Sequence, residues 1–506
     1  MPKLETVVLA SPGFWGLNTQ DSPLDLDIRF AAEATNCVVD RRGRIAARSG
    51  TTKVSTNGAA VLGSSAGVEF MSEFIQEDGT TVQFSGGNNK LFIGTTTLVD
   101  ETPAAATITA NNWTAATLNN RHYLFQAGHD PLVYSPGGRL VRVEDKASYT
   151  GTVPKGDVAL AAYGRLFVAS TADDKSTVTW SDLLLGLQWT GGSSGSINLR
   201  KFWPGGYDEV TALSEHNGFL VVFGKRNILI FRGGNSPSTM ELEDVIENIG
   251  CVARDSVQST GQDIMYLSAS GLRTLGRTIQ EKSAPIGDAS KNANDDLKAI
   301  TGAETGNIRS LYNEDFGFYI ISFPSSGISY VFDVRYRLED GSMRITTWDG
   351  LVPLSFVRTD AGLFYIGTLG GVEAYGGFLD REVKTYTMEW LTHPVSFSDA
   401  TTLKFFKDIQ ITFDNGSGYN PVVKWAWDYR TSYTKRIVTI PVNNIAEYGL
   451  GEYNISEYSD SIALVASSIA TGGSGRVLTA GISTIINGES FSIQQIALQA
   501  TIGRVL

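Results

Sequence analysis

The chain reads as an all-β protein: a β-propeller of six or seven blades between residues 56 and 380, preceded by an N-terminal arm and hairpin (1–55) and followed by a C-terminal β-sandwich (381–506). Three observations predict this. Glycine is abundant (54 residues) and proline scarce (15), which suits glycine-punctuated strands and leaves few long amphipathic helical patterns. Aromatic-aliphatic hairpins recur, centred on Phe74, Leu124, Phe167, Val221, Tyr266, Tyr319 and Phe364. Their spacing is that of a four-stranded blade, about 40–50 residues. After about residue 380 the alternations lengthen, as in VKTYTMEWLTHPVSF and SFSIQQIALQATIGRVL.

Taken in order, the arm GFWGLNTQDSP is extended and aromatic, and Phe30 to Thr35 is a short helical or irregular piece. A hairpin follows: Cys37-Val38-Val39, a turn at Asp40 to Gly43, and Ile45 to Ala47. Asp-x-x-Gly between apolar alternations is good turn chemistry. Seven hairpin centres suggest seven blades, or six if one hairpin belongs to an insertion. A pair of β-sandwiches is the rival architecture, but the glycine after each aromatic strand recurs in phase, which favours blades. The polar stretch Ala284 to Arg309 interrupts the pattern and has room for one short helix. The C-terminal region should hold six to eight strands, with a glycine-rich loop at Ala470 to Gly475.

Composition restricts the function classes. With 41 basic and 53 acidic residues the net charge is −12, whereas a protein that grips DNA neutralises phosphates with a basic face. Weakly repulsive walls still suit a conduit through which DNA slides. Two cysteines, Cys37 and Cys251, make neither a disulfide framework nor a zinc knuckle and fit a reducing cytosol. The apolar run Val7 to Ala10 is too short for a signal peptide, and no stretch approaches the length that spans a bilayer. Synthesis and folding in a cytoplasm are therefore expected.

No catalytic constellation emerges, and no enzyme activity, cofactor or metal is expected. GxSxG occurs at Gly63 to Gly67 and at Gly191 to Gly195, in Gly/Ser-rich loops lacking the strand-to-helix context of a nucleophile elbow. GFLVVFGK (Gly218 to Lys225) has the wrong spacing for a phosphate loop, and Arg226 stands where Ser or Thr is required. His122, His129, His216 and His393 show no metal-ligand spacing and read as surface or turn residues. STADDKSTVTW (Ser170 to Trp180) is similar to the Asp-box turn of sialidase propellers, which is a structural turn between strands. A carboxylate pair for glycoside hydrolysis cannot be singled out from the sequence among its 53 acidic residues.

Arg41, Arg42, Arg44 and Arg48, with Lys53 beyond, form the densest basic cluster of this acidic chain. They suit a solvated turn, an intersubunit or docking contact, or a DNA contact. Phe14 and Trp15 suit an exposed anchor on a neighbour or a strand tucked on the chain's own core. All six are candidate subunit or adaptor interface residues. Because the arm lies outside the blade repeat, removing residues 1–50 is expected to leave a folded β protein that no longer assembles.

Three stretches together resemble the tail nozzle proteins of short-tailed bacteriophages, also called tail tubular protein B or packaged-DNA stabilisation protein. They are GLNTQDSP followed by A-x-x-A-x-N-C-x-V-D-x-x-G-x-I-x-x-R-S-G (Gly16 to Gly50), GRLFVAS with VTWSD and QW (Gly164 to Trp189), and IGCVARDSV with LSASGLRTL (Ile249 to Val257, Leu267 to Leu275). The closing SIQQIALQATIGR (Ser492 to Arg504) also fits. The resemblance implies a structural virion protein, a hexameric ring in the tail that docks on the head-to-tail adaptor. Such a ring neighbours tail fibres or spikes and retains, then releases, double-stranded DNA. It carries over no active site. The alternative is a carbohydrate-binding or carbohydrate-cleaving propeller such as a capsule depolymerase, whose aromatics (24 Phe, 19 Tyr, 9 Trp) would stack on sugars. Those residues, however, occupy strand positions that a core needs. A DNA-binding clamp is a third possibility, disfavoured by the charge.

Overall fold

In a computed structural model, which describes residues 4–23, 26–63, 66–281, 288–397, 399–416, 418–441 and 464–503, the chain divides into two units. One comprises Lys53–Ser329 and Val352–Tyr375, the other Met1–Thr52, Tyr330–Leu351 and Gly376–Leu506.

The first unit is the propeller. Five sheets begin at Phe70–Ile75, Thr114–Leu118, Gly156–Ala162, Val210–His216 and Ser355–Arg358, and a sixth, of three strands, begins at Gln258–Ser259. Each is built from antiparallel hairpins with tight turns. These six blades are joined by the hairpin Arg309–Asn313 and Phe318–Phe323, which stands between the sixth sheet and Ser355–Arg358 and completes the circle. All seven centres of the sequence repeat therefore fall on strands. Innermost strands of successive blades lie side by side, and the aromatic residues fill the layers between them. Phe167, Trp180 and Trp203 share one such core, Tyr123, Phe125 and Trp189 another, and Phe223 and Tyr266 a third. Each buried ring removes 150–250 Å² from water, so the period of aromatic strands is the period of inter-blade cores. Asn294–Ala303 is the short helix expected within the polar interruption. Asp295 and Asp296 occupy its first turn and Leu297 is buried beneath it.

The second unit is a sandwich, and the N-terminal arm is part of it. Leu4–Ala10 runs antiparallel to Phe491–Ile502, from Leu4 opposite Thr501 to Ala10 opposite Gln495. Gly16–Leu17 pairs in parallel with Phe30–Thr35, which in turn pairs with Tyr386–Thr392, placing Ala34 opposite Trp390. Gly16 has φ +81°, and a Cβ there would lie 2.3 Å from the Ile345 carbonyl oxygen, so only glycine permits that close pairing. One sheet centres on Lys404–Asn415, flanked by Leu464–Ala470 and Phe491–Ile502. The other contains Tyr386–Thr392, Leu478–Ile486, Val422–Trp427 and Thr434–Ile437. Phe406 of the first sheet stacks on Trp427 of the second, with centroids 4.8 Å apart.

Two expectations change. Residues 1–55 are not a domain of their own: their strands up to Ala47 complete sheets of the C-terminal region, to which Tyr330–Leu351 also belongs, and Thr51–Lys53 is the fourth strand of the propeller sheet that begins at Ser355–Arg358. Lying outside the blade repeat excluded the arm from the propeller but not from a second β unit. Phe30–Thr35 is a strand, not a helical or irregular piece. Its alanines have good helix propensity, but strand partners outweigh a preference of a few tenths of a kcal/mol per residue.

Candidate functional site

The turn Asp40 to Gly43 organises the arginine cluster. The Asp40 carboxylate accepts the Arg42 and Arg44 backbone N–H groups at 2.8 and 2.9 Å and the Arg44 Nε at 2.6 Å. Gly43 sits at φ +73°, where a Cβ would lie 2.5 Å from that of Pro12, so the turn closes on the arm. Arg44 also pairs with buried Asp414. Arg48 is 0% exposed: its two terminal nitrogens grip both Asp380 oxygens at 2.8 Å, and its Nε donates to Asn36 at 3.0 Å. Its guanidinium lies 4.0 Å over the Tyr386 ring. Phe14, also fully buried, meets Trp390 edge-on at 5.7 Å.

Of the six candidate interface residues, Phe14, Arg44 and Arg48 are therefore internal ties of the sandwich unit. Hydrogen-bonding side chains so placed are satisfied within the chain, and the sequence could not show which arginines had buried carboxylate partners. Arg41 and Arg42 are exposed. Trp15 is half-buried, packed on Phe30 and covered by the Arg29 guanidinium at 3.4 Å.

Arg41, Arg42 and Trp15 share a cleft of about 620 Å³ with Arg29, Arg335 and Arg344. The carboxylates of its lining are Asp40 and Asp333, and Asp27 pairs with Arg29 at 2.6 Å beside it, so five guanidiniums stand against three acids in a chain of net charge −12. Arg335 is tied to Asp333 at 2.8 Å and to the Val39 carbonyl. Arg344, only 6% exposed, donates to the Pro12 carbonyl at 3.2 Å and stands 3.7 Å from Asp333. Its Nε is buried without a partner. Burial pulls its pKa down, outweighing the opposing pull of Asp333 and Tyr336, with a smaller push from Arg335, as expected of a cation whose surroundings do not fully repay its desolvation. Arg344 and Arg335 gave no sequence signal, being single arginines in strand-forming stretches.

A second polar centre lies at the propeller's hub. Arg254 donates to the Asp157 carbonyl at 2.8 Å and to the Asn112 side chain, and forks onto Asp255 at 2.9 Å. Arg309 pairs with the same carboxylate and donates to the Glu69 carbonyl at 2.7 Å. These bonds join the starts of innermost strands from blades that are not neighbours in chain order. Burial raises the Asp255 carboxyl's pKa, but the Arg254 and Arg309 charges outweigh it, and the net shift is downward. A cavity of only about 250 Å³ remains beside the knot.

The other motifs are structural turns where they are described. Ser193 of the second GxSxG donates to Asp182 at 2.6 Å and is followed by the strand Gly195–Asn198, not a helix. Ser64 and Ser65 of the first lie outside the described residues. Asp174 of the Asp-box-like segment accepts the Ser176 N–H and the Thr177 hydroxyl at 2.9 and 2.7 Å, pinning the turn. Cys37 and Cys251 are buried free thiols, and burial pushes Cys251 up to about 11. Among the described residues no group of three or more His, Cys, Asp or Glu is placed to hold a metal ion, and no helix is long and apolar enough to cross a membrane.

His122 and His393 are not surface residues: they are 2% and 6% exposed. His122 lies stacked near Phe74 and Phe84, bonded to the Ser72 and Thr117 hydroxyls at 2.9 and 2.8 Å. Burial lowers its pKa to about 3. The folded state thus resists a proton that the unfolded chain accepts below about 6.5. Stability is full above that pH and is lost as pH falls from about 6.5 toward 3. Thermal melts of His122→Phe should show a shallower fall between pH 6.5 and 4 than the parent; an unchanged slope would assign it to other groups.

No family model matches the chain, and no curated protein matches it. Among solved structures, the extracellular domain of a putative one-component system from B. thetaiotaomicron aligns with TM-score 0.43 and 10% identity, over 78% of this chain and 49% of that one. The Neurospora crassa Pan2 WD40 domain gives 0.36 and 10% identity, over 61% and 87%. Kluyveromyces lactis Hsv2p gives 0.30 and 12%, over 53% and 80%. This chain spans about half the length of the sensor ectodomain it matches.

Proposed function

We propose that this chain is a structural, non-enzymatic component of a short-tailed phage tail, a nozzle-type subunit that forms a hexameric ring on a head-to-tail adaptor. One observation supports the reading most: the residues that carry the sequence resemblance are the ones that tie the fold together. Asn36, Asp40 and Arg48 of the first stretch lock the arm into the sandwich. Arg165, Trp180 and Ser181 of the second bond the Ser193 turn and each other's strands. Cys251, Arg254 and Asp255 of the third build the hub and its surroundings. A resemblance held in architectural residues fits a part whose role is its shape.

On this reading DNA passes along the axis of the ring and not through a propeller, since the hub of each subunit is crossed by the Arg254 and Arg309 bonds. The acidic balance keeps passage weakly repulsive. The particle tail is where the protein acts, with tail fibres or spikes as neighbours. Native mass measurement of the protein alone and mixed with its adaptor tests this. A ring in either condition is expected, and a strict monomer in both would overturn the proposal. Release of reducing sugar from host capsule, abolished by one carboxylate substitution, would favour the depolymerase alternative instead.

A further inference from the structure

We infer that the arginine-lined cleft of the sandwich unit receives an acidic peptide segment of a partner protein. The inference deepens the nozzle reading and rests on it for the identity of the partner, while the chemistry of recognition rests on the cleft alone.

Charge comes first. Arg29, Arg41, Arg42, Arg335 and Arg344 line one cleft with Asp40 and Asp333, and Asp27 pairs with Arg29 at 2.6 Å beside it, so the guanidiniums still outnumber these carboxylates inside an acidic chain. Neighbouring guanidiniums repel one another, and a buried one is costly unless it is paired. Arg344 shows that cost only partly relieved: it is nearly buried, it stands 3.7 Å from Asp333, which it shares with Arg335, and it donates to the Pro12 carbonyl, but its Nε has no acceptor. An incoming oxyanion would supply the missing acceptor and restore charge balance, and guanidinium forks match carboxylates in geometry.

Size and walls then choose among oxyanions. A volume of about 620 Å³ far exceeds one phosphate or sulfate, for which a water occupies about 30 Å³ by comparison. Pro12, Gly13, Trp15 and Tyr336 give the cleft apolar and aromatic walls, suited to aliphatic stems of glutamate or to neighbouring side chains. The Trp15 and Tyr336 rings are each already covered by an arginine, at 3.4 and 4.3 Å, so the guanidiniums are held in fixed planes before the ligand arrives. A nucleic-acid backbone fits less well. A chain of net charge −12 repels a polyanion at range, whereas a short acidic segment meets only the local field within about one Debye length.

The test uses the full chain and a fluorescein-labelled hexaglutamate peptide, followed by polarisation at low and moderate salt. Saturable, salt-weakened binding is expected. Arg42→Glu, at an exposed position that the fold does not need, should weaken it at least tenfold, and Arg344→Met should do the same if the variant retains the parent melting profile. Lack of saturable binding, or binding that Arg42→Glu leaves unchanged, overturns the inference. So does displacement of the peptide by a short DNA duplex or by millimolar inorganic phosphate, which would assign the cleft to phosphates. Mass measurement on the parent protein, alone and with its adaptor, separates the two proposals. A parent that forms the ring but shows no saturable peptide binding discards the cleft alone, and saturable peptide binding by a parent that stays a strict monomer discards the nozzle reading alone.

Discussion

Deleting residues 1–50 is expected to unfold the sandwich unit rather than to release an undamaged protein that merely fails to assemble. The deletion removes Leu4–Ala10 from its pairing with Phe491–Ile502 and Phe30–Thr35 from its pairing with Tyr386–Thr392. It strips both sheets of strands and exposes Trp390, whose ring packs against Phe14. It also leaves Asp380, 5% exposed, without the Arg48 guanidinium that satisfies it. The single-residue form of the experiment is Arg48→Ala. Removing one partner of a buried ion pair costs about 3–5 kcal/mol, because the partner left behind stays desolvated. Arg48→Lys should recover only part of that, since an ammonium cannot grip both Asp380 oxygens and Asn36 together. Urea unfolding monitored by hydrogen exchange in Phe491–Ile502 checks both. A truncated chain that protects those amides as the parent does, or an Arg48→Ala midpoint unchanged from the parent, would show that the arm is dispensable.

That result reverses the outcome expected for the arm from sequence, and the reason is instructive. The blade period was readable because each hairpin contributes its own aromatic to an inter-blade core, as Phe167, Phe223 and Tyr266 do, so local pattern and tertiary position coincide. In the sandwich the partners are far apart in sequence. Nothing near Arg48 announces Asp380, and nothing near Phe14 announces Trp390. The turn Asp40 to Gly43 was legible because its chemistry is local, with Asp40 accepting the N–H groups of Arg42 and Arg44. The cleft was half legible: Trp15, Arg41 and Arg42 were singled out as a group, whereas Arg335 and Arg344 enter it from a segment some three hundred residues later. The buried state of His122 was hidden for the same reason, its ring neighbours Phe74 and Phe84 belonging to the preceding blade.

The propeller's hub should prove the other large determinant of stability. Arg254→Ala removes bonds to Asn112 and to the Asp157 carbonyl at once, and leaves Asp255 with Arg309 as its remaining cation partner. The loss should again be about 3–5 kcal/mol, larger than the 0.5–3 kcal/mol of an ordinary substitution. Asp255→Ala is expected to be at least as damaging, because it strands two guanidiniums that would then repel each other. The double variant Arg254→Met with Asp255→Leu should cost less than the sum of the single changes, since it removes two of the three desolvated charges together and strands only Arg309. The pH dependence follows from the sign of the shift. The Asp255 carboxyl is held below its unfolded value, so its contribution is full above about pH 4, the ordinary aspartate value. That contribution is lost as pH falls further, through the folded value. Melting curves of the parent and of Asp255→Asn between pH 6 and 2.5 read this directly. The parent should lose stability below about pH 4 more steeply than the asparagine variant. Parallel curves would mean that the hub carboxylate does not stay ionised in the fold, and that the Arg254 and Arg309 bonds to backbone carbonyls hold the blades together without it.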